Sequence, residues 1–251
     1  MKIAVISAMQ EELNRIVSRI NVTTKTRIGN RTFYEGEFNG HQIVSVFSHW
    51  GKVAASMTTT ILLTVFKVDK IIFTGVAGSI SPDLNIGDIV IGKNLYQHDM
   101  DSSPILPKYE IPILKNAYIE TPTEEIEKAF DSAKKMINDD FSTHFPESEL
   151  NKFNIKNPKV IIGDIASGDE FVSEATTRNR INNDLPTVVC VEMEGAAVAQ
   201  VCHDFNIPFV IIRTISDSAN DNSHIDFPLF IENIASVYSE KIIEKLLTPN
   251  P

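Results

Sequence analysis

Short runs rich in apolar, often β-branched residues recur along the chain, and each is typical of a strand buried on both faces. These runs are Ile3–Ile6, Asp69–Thr74, Gly87–Gly92, Val160–Ile165, Val188–Val191 and Phe209–Ile215. Other segments carry apolar residues at helical spacing. These are Glu11–Ile20, His49–Phe66, Thr123–Ile137, Gly195–Phe205 and Pro228–Leu247. The order predicts an α/β protein with a mixed central sheet between layers of helices, a three-layer α/β/α arrangement.

The segment from residue 25 to residue 47 alternates between polar and apolar side chains, which is typical of antiparallel strands with one exposed face. Its strand-like runs Thr32–Phe38 and Gln42–Phe47 are separated by Asn39-Gly40. Asn-Gly readily adopts the left-handed backbone that a two-residue hairpin turn requires. We therefore predict a β-hairpin with its turn at these two residues.

The last two apolar runs, Val188–Val191 and Phe209–Ile215, flank a helical pattern. This order predicts a β-α-β crossover in which the two strands are parallel. Acidic residues follow both runs, Glu192 and Glu194 after the first and Asp217 after the second. Ligands bind outside the carboxyl ends of strands in open α/β sheets, so we expect these carboxyl groups to meet in one crevice.

Arg213 lies inside the second of these apolar runs. A buried guanidinium needs a carboxylate or several hydrogen-bond acceptors, and we expect Glu194 to be its partner. The alternative interpretation is that these charged residues are ordinary solvated side chains at the edge of a sheet.

Length and composition suit one α/β domain over residues 1–251, with an irregular segment at about 102–158. The formal net charge of −10, without a basic block, argues against nucleic acid or an anionic membrane as a partner. The N-terminus lacks the features of a signal peptide, and no run approaches the roughly 20 apolar residues of a membrane span. Cys190 and Cys202 have neither metal nor redox spacing and are expected to be buried thiols, which fits a cytoplasmic protein.

Two further clusters do not indicate a cofactor. Gly75–Ser79 does not match the GxGxxG dinucleotide motif, so we interpret its glycines as letting the backbone approach a ligand. His98, Asp99 and Asp101 carry metal-binding side chains, but without a second cluster they are expected to be solvated. We therefore predict neither a metal nor a cofactor.

Glu12 follows the first strand-like run and is expected to face the same crevice as Glu194 and Asp217. Two separated carboxyl groups, one ionised and one protonated, can hydrolyse a glycosidic bond. One protonates the leaving group while the other directs water to the sugar carbon. Taken alone, Glu12 also fits an acid at a helix start, and Asp217 also fits a helix cap.

The chain resembles the 5'-methylthioadenosine/S-adenosylhomocysteine nucleosidases of the nucleoside phosphorylase/hydrolase-like superfamily, along nearly its whole length. The order and spacing of several motifs carry this resemblance. They are Ala8-Met9-Gln10-Glu11-Glu12, Gly51-Lys52-Val53, Thr74-Gly75-Val76-Ala77-Gly78, Gly87-Asp88-Ile89-Val90, His98-Asp99, Ser167-Gly168-Asp169-x-Phe171, Val191-Glu192-Met193-Glu194 and Arg213-x-Ile215-Ser216-Asp217.

The resemblance implies roles for several positions of this chain. Glu12 would activate the attacking water, and Asp217, aligned by Ser216, would protonate adenine at N7. Glu194 would hold the ribose hydroxyls, with Arg213 orienting the carboxylate. The other implied substrate-binding positions are Met9, Trp50, Val76, Gly78, Phe171, Val172, Glu192, Met193 and Phe227.

Three of these positions are expected to form the apolar wall around the sugar and the 5'-thio group: Met9, Trp50 and Phe227. Phe171 would stack on adenine, and the backbone of Val172 would bind its amino edge. The implied reaction is hydrolysis of methylthioadenosine and S-adenosylhomocysteine to adenine and a thioribose, by a cytoplasmic homodimer that serves methionine salvage.

The chain departs from the family pattern at three places. Val76 stands where many members carry serine, Trp50 is bulkier than the aliphatic residue common there, and the segment at 102–158 is longer than in compact members. In the family this segment approaches the pocket of the partner subunit. These departures bear on the preferred 5' substituent and leave the acid and base positions unchanged.

Three alternatives remain open from the sequence. A purine nucleoside phosphorylase would use phosphate in place of water, but Glu11 and Glu12 would repel phosphate in the loop after the first strand. A 6-amino-6-deoxyfutalosine nucleosidase would present adenine and ribose to the same residues. A non-catalytic adenine-nucleoside binding module would be favoured by loss of Glu12 or Asp217, and both are present.

Overall fold

The computed structural model describes residues 1–217 and 227–248. Its strands are β1 (Lys2–Ser7), β2 (Asn21–Ile28), β3 (Arg31–Phe38), β4 (His41–Phe47), β5 (Lys70–Ser79), β6 (Ile89–Gln97), β7 (Tyr118–Glu120), β8 (Val160–Ser167), β9 (Val188–Glu192) and β10 (Phe209–Asp217). Its α-helices are α1 (Gln10–Arg19), α2 (Lys52–Thr64), α3 (Thr123–Lys135), α4 (Phe141–His144), α5 (Glu147–Lys152), α6 (Ala175–Asp184), α7 (Gly195–Asp204), α8 (Phe227–Phe230) and α9 (Ser236–Leu246). A π-helical segment, Met136–Asp140, follows α3, and a second one, Ile231–Ala235, precedes α9.

These strands form one mixed sheet that closes on itself over part of its width. The order is β10-β6-β8-β9-β5-β1-β4-β3-β2, with β7 beside β6, and β10 pairs with β5 as well as with β6. Strands β5, β9, β8, β6 and β10 therefore form a closed ring, and β1, β4, β3 and β2 continue from β5. Three of the ring strands, β5, β9 and β10, contribute their carboxyl ends to the candidate site described below.

Alternate residues of β1 show why the sheet is covered on both sides. Ala4 and Ile6 belong to the core beneath α2 and α7, whereas Ile3 and Val5 belong to the core beneath α1, α3 and α9. Successive side chains of a strand point to opposite faces, so an entirely apolar strand needs an apolar layer on each side. The predicted mixed sheet between helical layers is confirmed.

The predicted hairpin is also confirmed. β3 and β4 pair antiparallel up to Phe38 and His41, and the turn residues Asn39 and Gly40 have φ angles of 49° and 77°. Positive φ at both central positions is the geometry that Asn-Gly favours.

The predicted parallel pairing of the strands at 188–191 and 209–215 is wrong. β9 lies between β8 and β5, and β10 lies between β6 and β5. β9 is antiparallel to β5, whereas β10 is parallel to β5, so β9 and β10 run in opposite senses. The physical reason is ring closure. β5 is long enough to pair with β10 and to reach β9 with its last residues, Gly78 and Ser79.

The interpretation that both glycines of Gly75–Ser79 let the backbone approach a ligand is corrected for Gly75, which lies with the rest of this segment at the end of β5. A Cβ atom on Gly75 would lie 2.8 Å from the Cβ of Ala8 and 3.1 Å from Nη1 of Arg213. The missing side chain of Gly75 therefore makes room for Arg213 rather than for a ligand. Gly78 does reach the candidate site.

Three helices were not predicted: α4, α5 and α6. α6 carries a single buried residue, Ile181, so it has no apolar stripe from which to recognise it. The irregular segment at 102–158 contains β7, α3, α4 and α5. Within the described ranges, no helix combines the length and the apolar character that crossing a membrane requires.

Candidate active site

A cavity of about 380 Å³ opens at the carboxyl ends of β1, β5, β9 and β10. This volume is in the range of pockets that hold small organic ligands. Twelve of the fourteen residues predicted for the site line it: Met9, Trp50, Val76, Gly78, Phe171, Val172, Glu192, Met193, Glu194, Ser216, Asp217 and Phe227. The other two, Glu12 and Arg213, are fully buried behind this lining.

Asp217 reaches the cavity because β10 is irregular at its end. The pairing of β10 with β5 shifts register between Ile215 and Asp217, and such irregularities re-aim side chains. The Asp217 Oδ2 atom lies 2.7 Å from the hydroxyl of Ser216, which is also 3.4 Å from the carbonyl oxygen of Ala77. The hydroxyl can donate to an ionised Asp217, or donate to Ala77 and accept a hydrogen bond from a protonated Asp217.

Glu194 is held at the start of α7 with its carboxylate in the cavity. The amide of Gly51 donates a hydrogen bond of 2.9 Å to Glu194 Oε1. Burial, together with the negative charge of Glu192, raises the pKa of Glu194. A carboxyl group with a raised pKa can hydrogen-bond sugar hydroxyl groups as either acceptor or donor.

The partner of Arg213 is Glu192, and the expectation that it would be Glu194 is corrected. Arg213 Nη2 lies 2.6 Å from Glu192 Oε2, whereas it lies 4.0 Å from Glu194 Oε2. Glu192 is the last residue of β9, and its carboxylate also accepts the amide of Gly195 and the hydroxyl of Ser167. Glu192 therefore anchors Arg213 and the first turn of α7, and leaves Glu194 directed toward the cavity.

Glu12 lies beneath Met9, in the first turn of α1. Its Oε2 atom accepts the amide of Met9 at 3.2 Å, which is half of a helix capping box, and its Oε1 atom accepts the hydroxyl of Ser239 at 2.6 Å. Burial outweighs these hydrogen bonds and the positive charge of Arg213, and raises the pKa of Glu12 to about 7. Such a carboxyl group can gain or lose a proton near neutral pH.

Aromatic rings form two walls of the cavity. Phe171 and Phe227 meet edge to face, with ring centroids 6.3 Å apart. Trp50 donates its indole N–H to the carbonyl of Ala8 at 3.1 Å, and its side chain remains largely exposed. These rings suit a flat heterocycle with an apolar substituent.

Four lining residues were not predicted: Ala8, Ala77, Glu170 and Val191. Two residues behind the lining were also missed, Ser167, which binds Glu192, and Ser239, which binds Glu12. Ser167 belongs to one of the recognised motifs, so its position carried a signal. Ser239 lies 227 positions from Glu12, and nothing local in the sequence marks it.

His98, which was expected to be solvated, is instead fully buried, and its neighbour Asp99 forms an ion pair of 2.6 Å with Lys52. Within residues 1–217 and 227–248, no group of three or more histidine, cysteine or acidic residues is arranged to hold a metal ion.

The chain matches the model of the Phosphorylase superfamily over residues 2–248. It is 36% identical over 247 residues to the 5'-methylthioadenosine/S-adenosylhomocysteine nucleosidase of Anoxybacillus flavithermus, covering 98% of both chains. Among solved structures, it superposes on the nucleosidase of the same name from Neisseria meningitidis, in complex with methylthio-immucillin-A, with a TM-score of 0.85 and 32% identity over 98% of each chain. It also superposes on the futalosine hydrolase of Helicobacter pylori with a TM-score of 0.81 and 31% identity, covering 98% of this chain and 97% of the other.

Proposed function

The chain belongs to the phosphorylase superfamily and, within it, to the 5'-methylthioadenosine/S-adenosylhomocysteine nucleosidases, and we propose that the cavity at the carboxyl ends of β1, β5, β9 and β10 is its active site. The protein is an N-glycosyl hydrolase that cleaves the bond between adenine and ribose in these two nucleosides. The observation that carries the assignment of the site is the convergence of Glu194 and Asp217 on one cavity, with Glu12 buried behind it.

Asp217 is the general acid in this proposal. It gives its proton to N7 of adenine, so that adenine leaves as a neutral molecule when the bond from N9 to C1' of the ribose breaks. The Ser216 hydroxyl keeps a hydrogen bond to Asp217 before and after the transfer, because it can reverse its direction by donating to Ala77. The acid therefore stays aligned in both of its ionisation states.

Glu12 is the general base. It accepts a proton from the water that attacks C1', and this step requires the ionised form of Glu12. With a pKa of about 7, a large fraction of Glu12 is ionised near neutral pH and the group is still basic enough to accept a proton. Arg213 contributes by its charge, which lowers the pKa of Glu12 from the value that burial alone would set.

Glu194 binds the ribose hydroxyls, assisted by the backbone of Met193. The Phe171 ring stacks on adenine, and the backbone of Val172 binds the amino edge. The 5' substituent lies against the wall formed by Met9, Trp50 and Phe227, three residues that line the same cavity. In this proposal Glu192 acts through Arg213 rather than on the substrate.

Phosphorolysis is disfavoured by the charge of the cavity. Among the described residues, its lining contains Glu170, Glu192, Glu194 and Asp217 and no lysine, arginine or histidine. Phosphate binding needs cationic side chains or a set of free amides. Water is therefore the nucleophile of this proposal.

The similarity to the futalosine hydrolase of Helicobacter pylori supports 6-amino-6-deoxyfutalosine as a second candidate substrate. A 6-amino-6-deoxyfutalosine substrate would place adenine and ribose against the same residues and would differ only at the 5' side. Val76 and Trp50, two of the three places at which the sequence was expected to depart from the family pattern, both line the cavity. We propose that these two residues set the preference between the substrates.

We further propose that residues 1–251 act as one domain, that the protein is a homodimer, and that it serves methionine salvage in the cytoplasm. The apolar segment Pro104–Pro107, with Ile105 strongly exposed, is a suitable contribution to a subunit contact. Cys190 and Cys202 are buried free thiols, which suits a reducing compartment.

The decisive experiment follows adenine release from methylthioadenosine in phosphate-free buffer and again after phosphate is added. Release without phosphate, with free methylthioribose as the second product, is the expected result. Release only with phosphate, as a sugar 1-phosphate, would refute the role of Glu12. Parallel assays with S-adenosylhomocysteine and 6-amino-6-deoxyfutalosine rank the substrates by kcat/KM.

A further inference from the structure

Three recognised motifs contain residues to which the proposed mechanism gives no role. They are Lys52 of the Gly51-Lys52 motif, Asp99 of the His98-Asp99 motif, and Asp169 of the Ser167-Gly168-Asp169 motif. The three residues lie in separate connections, at the start of α2, after β6 and after β8. The fold brings them together beside the cavity.

Their polar atoms form a closed set of contacts. Lys52 Nζ lies 2.6 Å from Asp99 Oδ1, and the amide of Asp169 donates to Asp99 Oδ2 at 2.9 Å. The amide of Lys52 donates in turn to Asp169 Oδ1 at 2.7 Å. Each of the three connections is therefore fixed to the other two.

We propose that Lys52, Asp99 and Asp169 form a clamp that positions the two aromatic walls and the sugar-binding carboxylate of the active site relative to one another. The inference rests on the proposed function of the cavity. The three residues are positioning residues, because they act through their sequence neighbours and do not line the cavity.

Those neighbours carry the argument. Trp50 and Gly51 directly precede Lys52, and the amide of Gly51 donates the 2.9 Å hydrogen bond to Glu194. Phe171 follows Asp169 by two positions. A shift of either connection would therefore move an aromatic wall, and a shift at Gly51 would also release the carboxylate of Glu194.

The clamp also explains two glycines. Gly51 has a φ of +89°, and a Cβ atom there would lie 2.8 Å from Asp169 Oδ1. A Cβ atom on Gly168 would lie 2.3 Å from Nε2 of the buried His98. The connections approach more closely than side chains would permit, so the close contact between them is built into the backbone.

The charge pair affects geometry more than stability. The side chains of Lys52 and Asp99 are 17% and 28% exposed, and partly solvated pairs contribute little to the free energy of unfolding. Burial alone would raise the pKa of Asp99, but the hydrogen bonds from Lys52 and from the Asp169 amide lower it below its usual value. Asp99 is therefore charged whenever the enzyme works near neutral pH.

The chain offers an internal reporter for the test. Trp50 is the only tryptophan of the sequence, and it adjoins the clamp and lines the cavity. Its fluorescence, and the quenching of that fluorescence by acrylamide, report the position of the connection at Gly51 without any assay of activity. The Lys2–Glu35 ion pair, with side chains 24% and 26% exposed, lies at the opposite end of β1 and supplies a matched control.

The experiment compares the full-length wild type with Asp99→Asn, Lys52→Met, the double variant and the control Glu35→Gln. We expect KM for methylthioadenosine to rise about tenfold in each single clamp variant, while kcat falls less than about threefold, because misplaced binding groups weaken positioning before they change the chemistry. The double variant should add less than about twofold to either single variant, since both remove the same contact. The emission maximum and the acrylamide quenching of Trp50 should change in the clamp variants and stay at the wild-type values in Glu35→Gln.

Unchanged KM and unchanged quenching in Asp99→Asn and Lys52→Met would overturn the clamp. If these variants only lowered the melting temperature, the three residues would serve stability and the clamp would likewise be overturned. Equal effects in Glu35→Gln would also overturn it, by showing a general response to loss of surface charge. Failure of the proposed function is separately visible, because the wild type would then release no adenine from methylthioadenosine. The fluorescence measurements on Trp50 still test the clamp in that case.

Discussion

Ser239, on the last helix, donates a hydrogen bond of 2.6 Å to Glu12, on the first helix, across 227 positions of sequence. The contact joins α9 to the proposed general base inside the core, where both residues are buried. It is one of the interactions that lower the pKa of Glu12 from the value that burial alone would set. The ionisation of a catalytic group therefore depends on a residue that never meets the substrate.

Replacement of Ser239 by alanine should shift the pH dependence of the reaction. Without the hydroxyl, the pKa of Glu12 rises above about 7, so a smaller fraction of the base is ionised at neutral pH. We expect kcat/KM at pH 7 to fall by roughly threefold to tenfold and to recover by about pH 9. A pH profile of adenine release measures this shift.

Ser236→Ala is the matched control for this variant. Ser236 is also buried on α9, but its hydroxyl donates to the carbonyl of Glu232 in the preceding turn. A profile of Ser239→Ala that coincides with that of Ser236→Ala would show that the bond to Glu12 has no part in catalysis.

Because the pKa of Glu12 is raised in the folded state, the free energy of unfolding should depend on pH. The folded protein holds this proton up to about pH 7, whereas unfolded glutamate loses it near 4.5, so the folded state binds more protons between these values. The stabilisation is complete below about pH 4.5 and is lost as the pH rises through about 7. Glu194, whose pKa is also raised by burial, acts in the same direction.

Glu12→Gln should remove that pH dependence, because glutamine does not titrate. Between pH 5 and pH 8, the free energy of unfolding of the wild type should fall by roughly 2 to 3 kcal/mol relative to that of the variant. Urea unfolding at the two pH values measures the difference. The same variant should lose catalysis by roughly 10²-fold to 10⁴-fold, the usual loss on removal of a general base. A parallel pH dependence of stability in both proteins would contradict the assignment of this proton to Glu12.

Many of the strands, the hairpin turn and most site residues could be predicted from the sequence, because the signals that mark them are local. The apolar runs and the Asn39-Gly40 turn predicted strands and a hairpin. The family resemblance marked twelve residues that do line the cavity, and nine of these lie within the motifs that carry it. The senses of β9 and β10 were missed because ring closure depends on how far β5 extends, which no local pattern reveals. The partner of Arg213 was missed for a related reason. Glu192 and Glu194 are two positions apart, and only the start of α7 decides which of them turns toward the guanidinium.

Asp217→Asn tests the proposed general acid. Asparagine keeps the shape and a hydrogen bond with Ser216 but has no proton to transfer to adenine. We expect kcat to fall by roughly 10²-fold to 10⁴-fold, while the affinity for adenine, measured by calorimetry, stays within about threefold of the wild type. Ser216→Ala should show a smaller loss of kcat, of about tenfold, because the acid is present but less well aligned. A variant Asp217→Asn that retains more than a tenth of wild-type kcat would exclude Asp217 as the acid.

Arg213 is fully buried, stands 4.2 Å from the centre of the Phe73 ring and binds Glu192 at 2.6 Å. Removing one partner of a buried ion pair leaves the other charge uncompensated, so Arg213→Met should lower the free energy of unfolding by about 3 to 5 kcal/mol. The sign of a second change depends on this background. Glu192→Gln should destabilise the wild type, because it breaks the ion pair. In Arg213→Met the same change should be stabilising, because it removes an uncompensated buried charge while the glutamine oxygen still accepts the amide of Gly195. Urea unfolding of the four proteins at pH 8 measures both signs, and destabilisation in both backgrounds would show that the carboxylate serves α7 alone.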